Sequence, residues 1–201
     1  MSEKSFSWAF NNDHVESWAY WIDGFNPMEC DAIIDYCKKR DMEEGVIYSG
    51  NGDMDKFISN RSVRDSKIGF IQPSDEISWV YQRLTEITTK LNDQYFKFDL
   101  WGFAEGLQFT EYKSPGQKYN EHVDKMDKGL IRKLTIVLQL TNEEDYEGCD
   151  LELLLSENPL KMIRKQGTLL AFPSYTLHRV TPITKGTRHS LVGWVTGRPF
   201  K

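Results

Sequence analysis

Two stretches of the chain repeat their apolar residues at helical intervals, and most of the C-terminal half alternates at a period of two. After Asn26-Pro27, the positions Cys30, Ile33, Ile34 and Cys37 recur every three or four residues, which predicts a helix from Pro27, in its first turn, to about Arg40. A second stripe, Ile77, Val80, Tyr81, Leu84, Ile87 and Leu91, predicts a helix capped by Pro73-Ser74-Asp75 and running to about Asn92. Both stripes read as core. Between them, residues 43–60 hold Gly45, Gly50, Asn51, Gly52 and several Asp without apolar periodicity. That is the composition of a loop, either a substrate lid or a simply mobile segment. Ile68-Gly69-Phe70-Ile71 reads as a short strand; Arg61 and Arg64 before it read as a solvated strand end, with a substrate-facing role as the second reading. Residues 1–18 are polar with scattered aromatics (Phe6, Trp8, Phe10, Trp18), and both a disordered lead and an edge strand fit them.

From Trp101 onward the texture changes to short alternating or apolar runs separated by Gly, Pro, Asn and Asp. Strands are expected over 106–113, 118–124, 131–140, 149–155, 160–164, 167–172, 176–181 and 189–196. About eight short strands with turn signals between them predict a mainly β fold with supporting helices (α+β), a sandwich or a double-sheet jelly roll rather than a parallel α/β sheet. The expected organisation is a single domain over residues 1–201, with 1–99 as helical and loop support and 100–197 as the core. No internal repeat or low-complexity segment interrupts it.

Composition narrows the partners more than the fold. A length of 201 residues and 39% hydrophobic content suit one domain with a substantial core. A formal charge of −5 gives no general attraction to nucleic acid or an anionic membrane, and neither is expected as a partner. Cys30, Cys37 and Cys149 are odd in number and widely spaced, which suggests neither a disulfide framework nor a zinc site and fits a reducing compartment. The sequence as given opens with no charged segment followed by an apolar run, and no apolar stretch is long enough to span a bilayer; the expectation is cytoplasmic.

The candidate chemistry begins at Tyr119-Asn120-Glu121-His122-Val123-Asp124. In an extended strand, residues two apart share a face, which would set His122 beside Asp124 as two ligands of one metal. With four His in 201 residues, a His-x-Asp arises by chance roughly 0.3 times per chain, so the pair alone is equally a surface His beside a solvated carboxylate. His178, after the run Gly-Thr-Leu-Leu-Ala-Phe-Pro, offers a third ligand. Two imidazoles and a carboxylate on one side of an ion leave its other positions open, the facial arrangement of non-heme Fe(II) oxygenases. Ten residues beyond His178, alternation puts Arg188, Ser190, Val192 and Trp194 on one face. An inward guanidinium beside a hydroxyl is a fork for a carboxylate. His189 falls on the opposite face, and neither it nor His14 has ligand partners by spacing.

Taken in order, Gln108-Phe109-Thr110-Glu111-Tyr112, the stretch Gly116 to Asp124, His178 and Arg188-x-Ser190 resemble the Fe(II)/2-oxoglutarate-dependent dioxygenases, and within them the prolyl 4-hydroxylase-like group of bacterial and phage type. The resemblance covers roughly residues 100–197; the first hundred match only through Asp31-Ala32-Ile33-Ile34-Asp35 and the 61–71 stretch. It implies a double-stranded β-helix with iron on His122, Asp124 and His178. Arg188, helped by Ser190, would take the distal carboxylate of 2-oxoglutarate. Tyr112 and Tyr119 would stand near the cosubstrate, with filling of the barrel mouth as their bland alternative. O2 is the co-reactant implied, and ascorbate the reductant. Asp124, where related halogenases carry Gly or Ala, implies hydroxylation of a substrate C–H with release of succinate and CO2. Many animal and plant prolyl hydroxylases have Lys at the Arg188 position, a departure that keeps cosubstrate binding and turns the expectation away from a collagen-type substrate.

A prolyl residue in a protein or peptide is the first substrate class this implies. A free amino acid, another small metabolite or a nucleobase is the alternative, and a non-catalytic cupin-type metal-binding barrel is the third. Trp194 is expected to pack the barrel interior. Gly148-Cys149-Asp150-Leu151 resembles the family's Gly-rich turn, with Cys149 buried. Nothing in the sequence speaks to oligomeric state.

Overall fold

The computed structural model describes residues 16–50, 55–124 and 129–199. Along them run β1 (Ala19–Trp21), α1 (Pro27–Lys38), β2 (Glu43–Glu44), β3 (Ile47–Gly50), β4 (Asp55–Ile58), β5 (Arg64–Asp65), β6 (Lys67–Ile71) and α2 (Ser78–Leu91), which a π-helical turn (Asn92–Phe96) continues. Then come β7 (Leu100–Phe103), β8 (Leu107–Lys113), β9 (Lys118–His122), β10 (Arg132–Gln139), β11 (Tyr146–Gly148) and β12 (Leu151–Leu153). The last are β13 (Leu160–Lys161), β14 (Leu169–Pro173), β15 (His178–Val180) and β16 (Ile183–Gly197). The larger antiparallel sheet has the order β1-β14-β10-β16-β8-β6-β2, with β7 and β11 also paired to the long β16; the smaller is β13-β12-β15-β9-β5. This is the expected mainly β architecture with supporting helices, a jelly roll.

Period-two alternation explains how one sheet serves two cores. On β10, Leu134, Ile136 and Leu138 join Cys30, Ile33, Leu84 and Leu91 of the helices, while Val137 faces the other way. Leu170 and Phe172 of β14 share that second core with Leu151, Leu153 and Val180 of the smaller sheet. Each fully buried Leu, Ile or Phe contributes about 1.5–3 kcal/mol by leaving water, so the strands are held flat against helices on one face and against the second sheet on the other. The face turned to the second sheet also carries Thr135, Gln139, Arg188 and Ser190, all buried polar residues. Polar groups at core positions need partners, and the cavity that Thr135, Arg188 and Ser190 line is where those partners are to be sought.

Several boundaries differ from the expectation. Helix α1 begins as expected, with Asn26 and Glu29 forming a capping box and Pro27 in the first turn. α2 starts later, at Ser78. Ile77 N–H bonds to Ser74 O (3.1 Å) and Ser78 Oγ to Asp75 O (3.1 Å), so the polar residues read as a cap form a preceding turn instead. Residues 43–60, read as a loop, contain the β3–β4 hairpin, with Ile47 opposite Ile58. That hairpin pairs only with itself and so leaves no apolar periodicity to read. β9 ends at His122, leaving Asp124 beyond the strand; β16 begins at Ile183 because its first half pairs with β11. Phe6, Trp8, Phe10 and His14 lie outside the described residues, as do Asn51 and Gly52; Trp18, just before β1, stacks on Tyr20 at 5.5 Å.

On the face of β8 turned away from the cavity, the buried Glu111 meets His189 Nε2 at 3.1 Å and Lys113 Nζ at 3.0 Å. The His189 ring stacks on Phe109 at 5.3 Å, away from the cavity as its position in the alternation predicts. The His189 hydrogen bond, followed in size by the opposing effect of burial, leaves the Glu111 carboxyl at about 2, against an ordinary 4.5. A carboxyl whose folded value is depressed adds stability that is complete above its unfolded value and is lost as pH falls toward the folded one. Glu111→Gln is therefore expected to flatten the stability–pH curve between about pH 4.5 and 2, by on the order of 1–3 kcal/mol. Chemical denaturation at a series of pH values measures this; parallel curves for the two proteins would refute it.

Candidate active site

His122 closes β9 and His178 opens β15, and the two are directly opposite in the antiparallel register of the smaller sheet. Their rings stand 4.1 Å apart between centroids. Each ring is oriented by its Nδ1, at 2.8 Å from Asn120 O for His122 and 2.9 Å from Thr176 O for His178. A carbonyl can only accept, so both Nδ1 atoms carry the proton and both Nε2 lone pairs point outward, the tautomer of a metal-ligating imidazole. Asp124 reaches the same point although it lies beyond the strand: its N–H bonds to Ser174 O (2.9 Å), which folds the chain back over β14. Oδ1 lies 3.7 Å from His122 Nε2 and Oδ2 3.6 Å from His178 Nε2.

Two imidazole lone pairs facing a carboxylate at these distances repel it unless a cation lies between them. All three ligand atoms are within 4.8 Å of one another, a separation that metal–ligand bonds of about 2 Å can span. The charge states suit the same purpose. Burial first, then the neighbouring His178 ring, push His122 down to about 3, so it is neutral at ordinary pH. For Asp124 burial is the largest influence and acts upward, but His178, His122 and the Thr135 hydroxyl together hold the carboxyl below its usual value. A neutral imidazole and an ionised carboxylate are the ligand forms. The residues present fit an iron ion.

Thr135 of β10 supports the carboxylate: its Oγ1 donates to Asp124 Oδ2 at 2.9 Å and stands 3.0 Å from Ser174 Oγ. Outer hydrogen bonds of this kind fix ligand orientation. Thr135→Val keeps the shape and removes the hydroxyl, so Fe(II) affinity is expected to fall roughly 10–100-fold. Anaerobic equilibrium dialysis against Fe(II) reads the change, and an unaltered affinity would mean that this bond does not hold the ligand.

A cavity of about 830 Å³ opens from the three ligands and is also lined by Tyr112, Tyr119, Arg188 and Ser190. Arg188 is opposite Tyr112 in the β8–β16 register, and its guanidinium lies 5.9 Å from the Tyr112 ring. It is 2% exposed; Nη2 donates to Gln139 Oε1 (2.8 Å), and Nε has no hydrogen-bond partner. Among the described residues no carboxylate pairs with it. A buried guanidinium with an orphaned N–H, on the wall of a cavity, fits the carboxylate end of a ligand. Tyr119 stacks on His122 (3.5 Å between centroids, 16° between planes), and burial raises the hydroxyl pKa of both tyrosines, keeping them neutral donors.

Residues without a sequence motif complete the walls. Gln139 is turned toward Arg188 because its Nε2 donates to Ile163 O (3.1 Å). Arg132 lies over the Trp194 ring at 3.8 Å and binds Glu105 through two bonds of 2.6 and 2.7 Å. Trp194 is buried and lines the cavity. The reading of both early arginines as a solvated strand end holds only for Arg61, which is exposed and paired with Glu44. Arg64 is 6% exposed and lines the cavity. Cys149 is buried as expected, on a turn where Gly148 has φ +70° and a Cβ would collide with Pro182 O. Among the described residues no helix is long and apolar enough to cross a membrane.

Residues 107–196 match the family described as the 2OG-Fe(II) oxygenase superfamily. A PKHD-type hydroxylase of Picosynechococcus sp. is 38% identical over 90 residues, 44% of this chain and 41% of that protein. The chain spans about half the length of the curated relatives it matches. Among solved structures, a prolyl-4-hydroxylase of Pseudomonas putida superposes with a TM-score of 0.71 at 20% identity, over 91% of this chain and 94% of that one. A prolyl hydroxylase of Trichoplax adhaerens, in complex with a hypoxia inducible factor oxygen degradation domain peptide fragment, gives 0.74 at 16%, over 90% and 84%. At such identities the likeness is one of fold. The segment that matches the 2OG-Fe(II) oxygenase superfamily, residues 107–196, is the one that carries His122, Asp124, His178 and Arg188.

Proposed function

We propose that the chain is an Fe(II)/2-oxoglutarate-dependent dioxygenase that hydroxylates a C–H bond, with a prolyl residue of a protein or peptide as its first substrate class. The observation that carries this is the shared cavity, lined both by a His-Asp-His cluster and by a buried guanidinium with an orphaned N–H. A cupin-type binding barrel has no need of that buried charge. The prolyl substrate is supported by the similarity to PKHD-type hydroxylases and by the fold shared with prolyl hydroxylases, one of them peptide-bound.

In this reading His122, Asp124 and His178 hold Fe(II), and Arg188 with Ser190 takes the distal carboxylate of 2-oxoglutarate. Iron, 2-oxoglutarate and O2 supply the oxidising chemistry, with succinate and CO2 as products and ascorbate as the reductant. The chain's part is placement. Asn120 O and Thr176 O keep both imidazoles in the ligating tautomer, and Thr135 keeps Asp124 turned inward. Gln139 holds Arg188 through Nη2 and leaves its buried Nε without a partner. Tyr112 and Tyr119 offer neutral hydroxyl donors on the wall of the same cavity. Val137, Leu151 and Val180 add apolar surface to the cavity wall, which excludes water and strengthens charge-assisted bonds.

The test is aerobic incubation of the purified protein with Fe(II), 2-oxoglutarate, ascorbate and proline-containing peptides. Succinate release that depends on Fe(II), with one oxygen atom gained by the peptide, is expected. Succinate without peptide oxidation would move the substrate to the small-molecule class, and no succinate under any condition would overturn the enzyme reading.

A further inference from the structure

The cavity wall holds a second buried guanidinium, which binding of iron and 2-oxoglutarate does not use. Arg64, on β5, donates through Nε to Ser66 Oγ (3.1 Å) and through Nη1 to Val46 O (3.1 Å). Its guanidinium lies 4.5 Å from the Tyr119 ring, which in turn stacks on His122. The column guanidinium, phenol, imidazole thus ends on a candidate metal ligand. The chain closes over Arg64 at Gly45, where a Cβ would stand 2.6 Å from Arg64 Nε and 2.5 Å from Ser66 Oγ. These hydrogen-bond partners of Arg64 are neutral, and among the described residues no carboxylate pairs with it.

Of the other charges of the wall outside the metal cluster, Glu43 is exposed to solvent and forms no ion pair with Arg64. Arg132 is paired with Glu105, and Glu121 with Arg179. Arg188 and Arg64 remain, both buried and both without a counter-ion among the described residues. A buried charge is costly unless a partner of opposite sign reaches it. The cosubstrate has two carboxylates, one for Arg188 and one for the metal, and so has none left for Arg64. A third anionic group is needed, and it has to arrive with the substrate.

We infer that Arg64 is a substrate-binding residue, and that the substrate carries a carboxylate close to the carbon that is hydroxylated. The inference rests on the proposed dioxygenase reading. The carboxylate can be the α-carboxylate of a free amino acid or C-terminal residue, or an acidic side chain beside the target in a peptide. Arg64 holds it through paired charge-assisted bonds and so fixes which C–H faces the metal.

Two matched probe pairs separate these sources: N-acetyl-L-proline against N-acetyl-L-prolinamide, and a capped Pro-Asp dipeptide against its Pro-Asn counterpart. Each is titrated calorimetrically, without oxygen, into protein loaded with Fe(II) and 2-oxoglutarate. At least one acid is expected to bind about tenfold or more tightly than its amide. The preference is expected to collapse to near parity in Arg64→Gln, to be partly kept in Arg64→Lys, and to survive in Ser66→Ala, which removes a structural bond but not the charge. Equal binding of acid and amide in both pairs, no binding of any probe, or a preference that persists in Arg64→Gln overturns the inference. So does Arg64→Gln raising the 2-oxoglutarate requirement while keeping the acid preference, since Arg64 would then serve the cosubstrate. If the loaded protein never shows the visible band of an iron–keto-acid chelate, it is the dioxygenase reading that fails, and the same titrations of the metal-free protein still read the preference at Arg64.

Discussion

Asp124→Ala is expected to lower Fe(II) affinity by at least about two orders of magnitude, because it removes the one anionic ligand of the cluster and leaves a divalent ion facing two neutral imidazoles in a buried site. The loss should exceed that of Thr135→Val, which only frees the carboxylate to turn. Binding to the folded state alone raises the melting temperature by mass action, so Fe(II) should raise the Tm of the wild type and leave that of the variant nearly unchanged. Anaerobic thermal unfolding with and without Fe(II) measures the effect. An equal Fe(II)-dependent rise in both proteins would place the metal elsewhere.

The second large effect is expected at Arg188. Truncating one partner of a buried charged pair costs about 2–5 kcal/mol, so Arg188→Ala should raise the 2-oxoglutarate concentration needed for half-saturation by about 30- to 5000-fold. Arg188→Lys should cost less, since it keeps the charge and loses the two-pronged geometry. The ligand-free protein adds a second readout. Arg188 is there a buried charge without a counter-ion among the described residues, and replacing such a group by an apolar one of similar length is often neutral or stabilising. Arg188→Met is therefore expected to bind the cosubstrate poorly and to unfold no more easily than the wild type without ligand. A marked loss of ligand-free stability would instead make Arg188 a structural residue.

How much of the site is legible in the sequence depends on how local the information is. Alternation alone places Arg188, Ser190, Val192 and Trp194 on one face of β16, and all four line the cavity. The two-residue spacing of His122 and Asp124 is informative for a different reason than strand geometry. Asp124 lies past the strand end, and Ser174 O and Thr135, fifty and eleven positions away, turn it toward the histidines. Thr135 and Gln139 carry no motif because their role is set by which strand β10 pairs with. Arg64 reads as a solvated strand end since nothing nearby in sequence shows that Gly45 and Val46 fold over it. The β3–β4 hairpin is unreadable because strands that pair only with each other need no apolar face. Helix α1, by contrast, is legible to its first residue, because Asn26, Pro27 and Glu29 are a local capping arrangement.

The central claim is that one cavity binds iron on His122, Asp124 and His178 and presents it to a keto acid anchored on Arg188. Titration of the protein with Fe(II) and 2-oxoglutarate in the absence of oxygen tests it most directly, through the weak visible charge-transfer band of the chelate. The band is expected in the wild type with one iron per chain, to vanish in Asp124→Ala, and to require far more 2-oxoglutarate in Arg188→Ala. Iron bound at one per chain with no band at saturating 2-oxoglutarate would contradict the account.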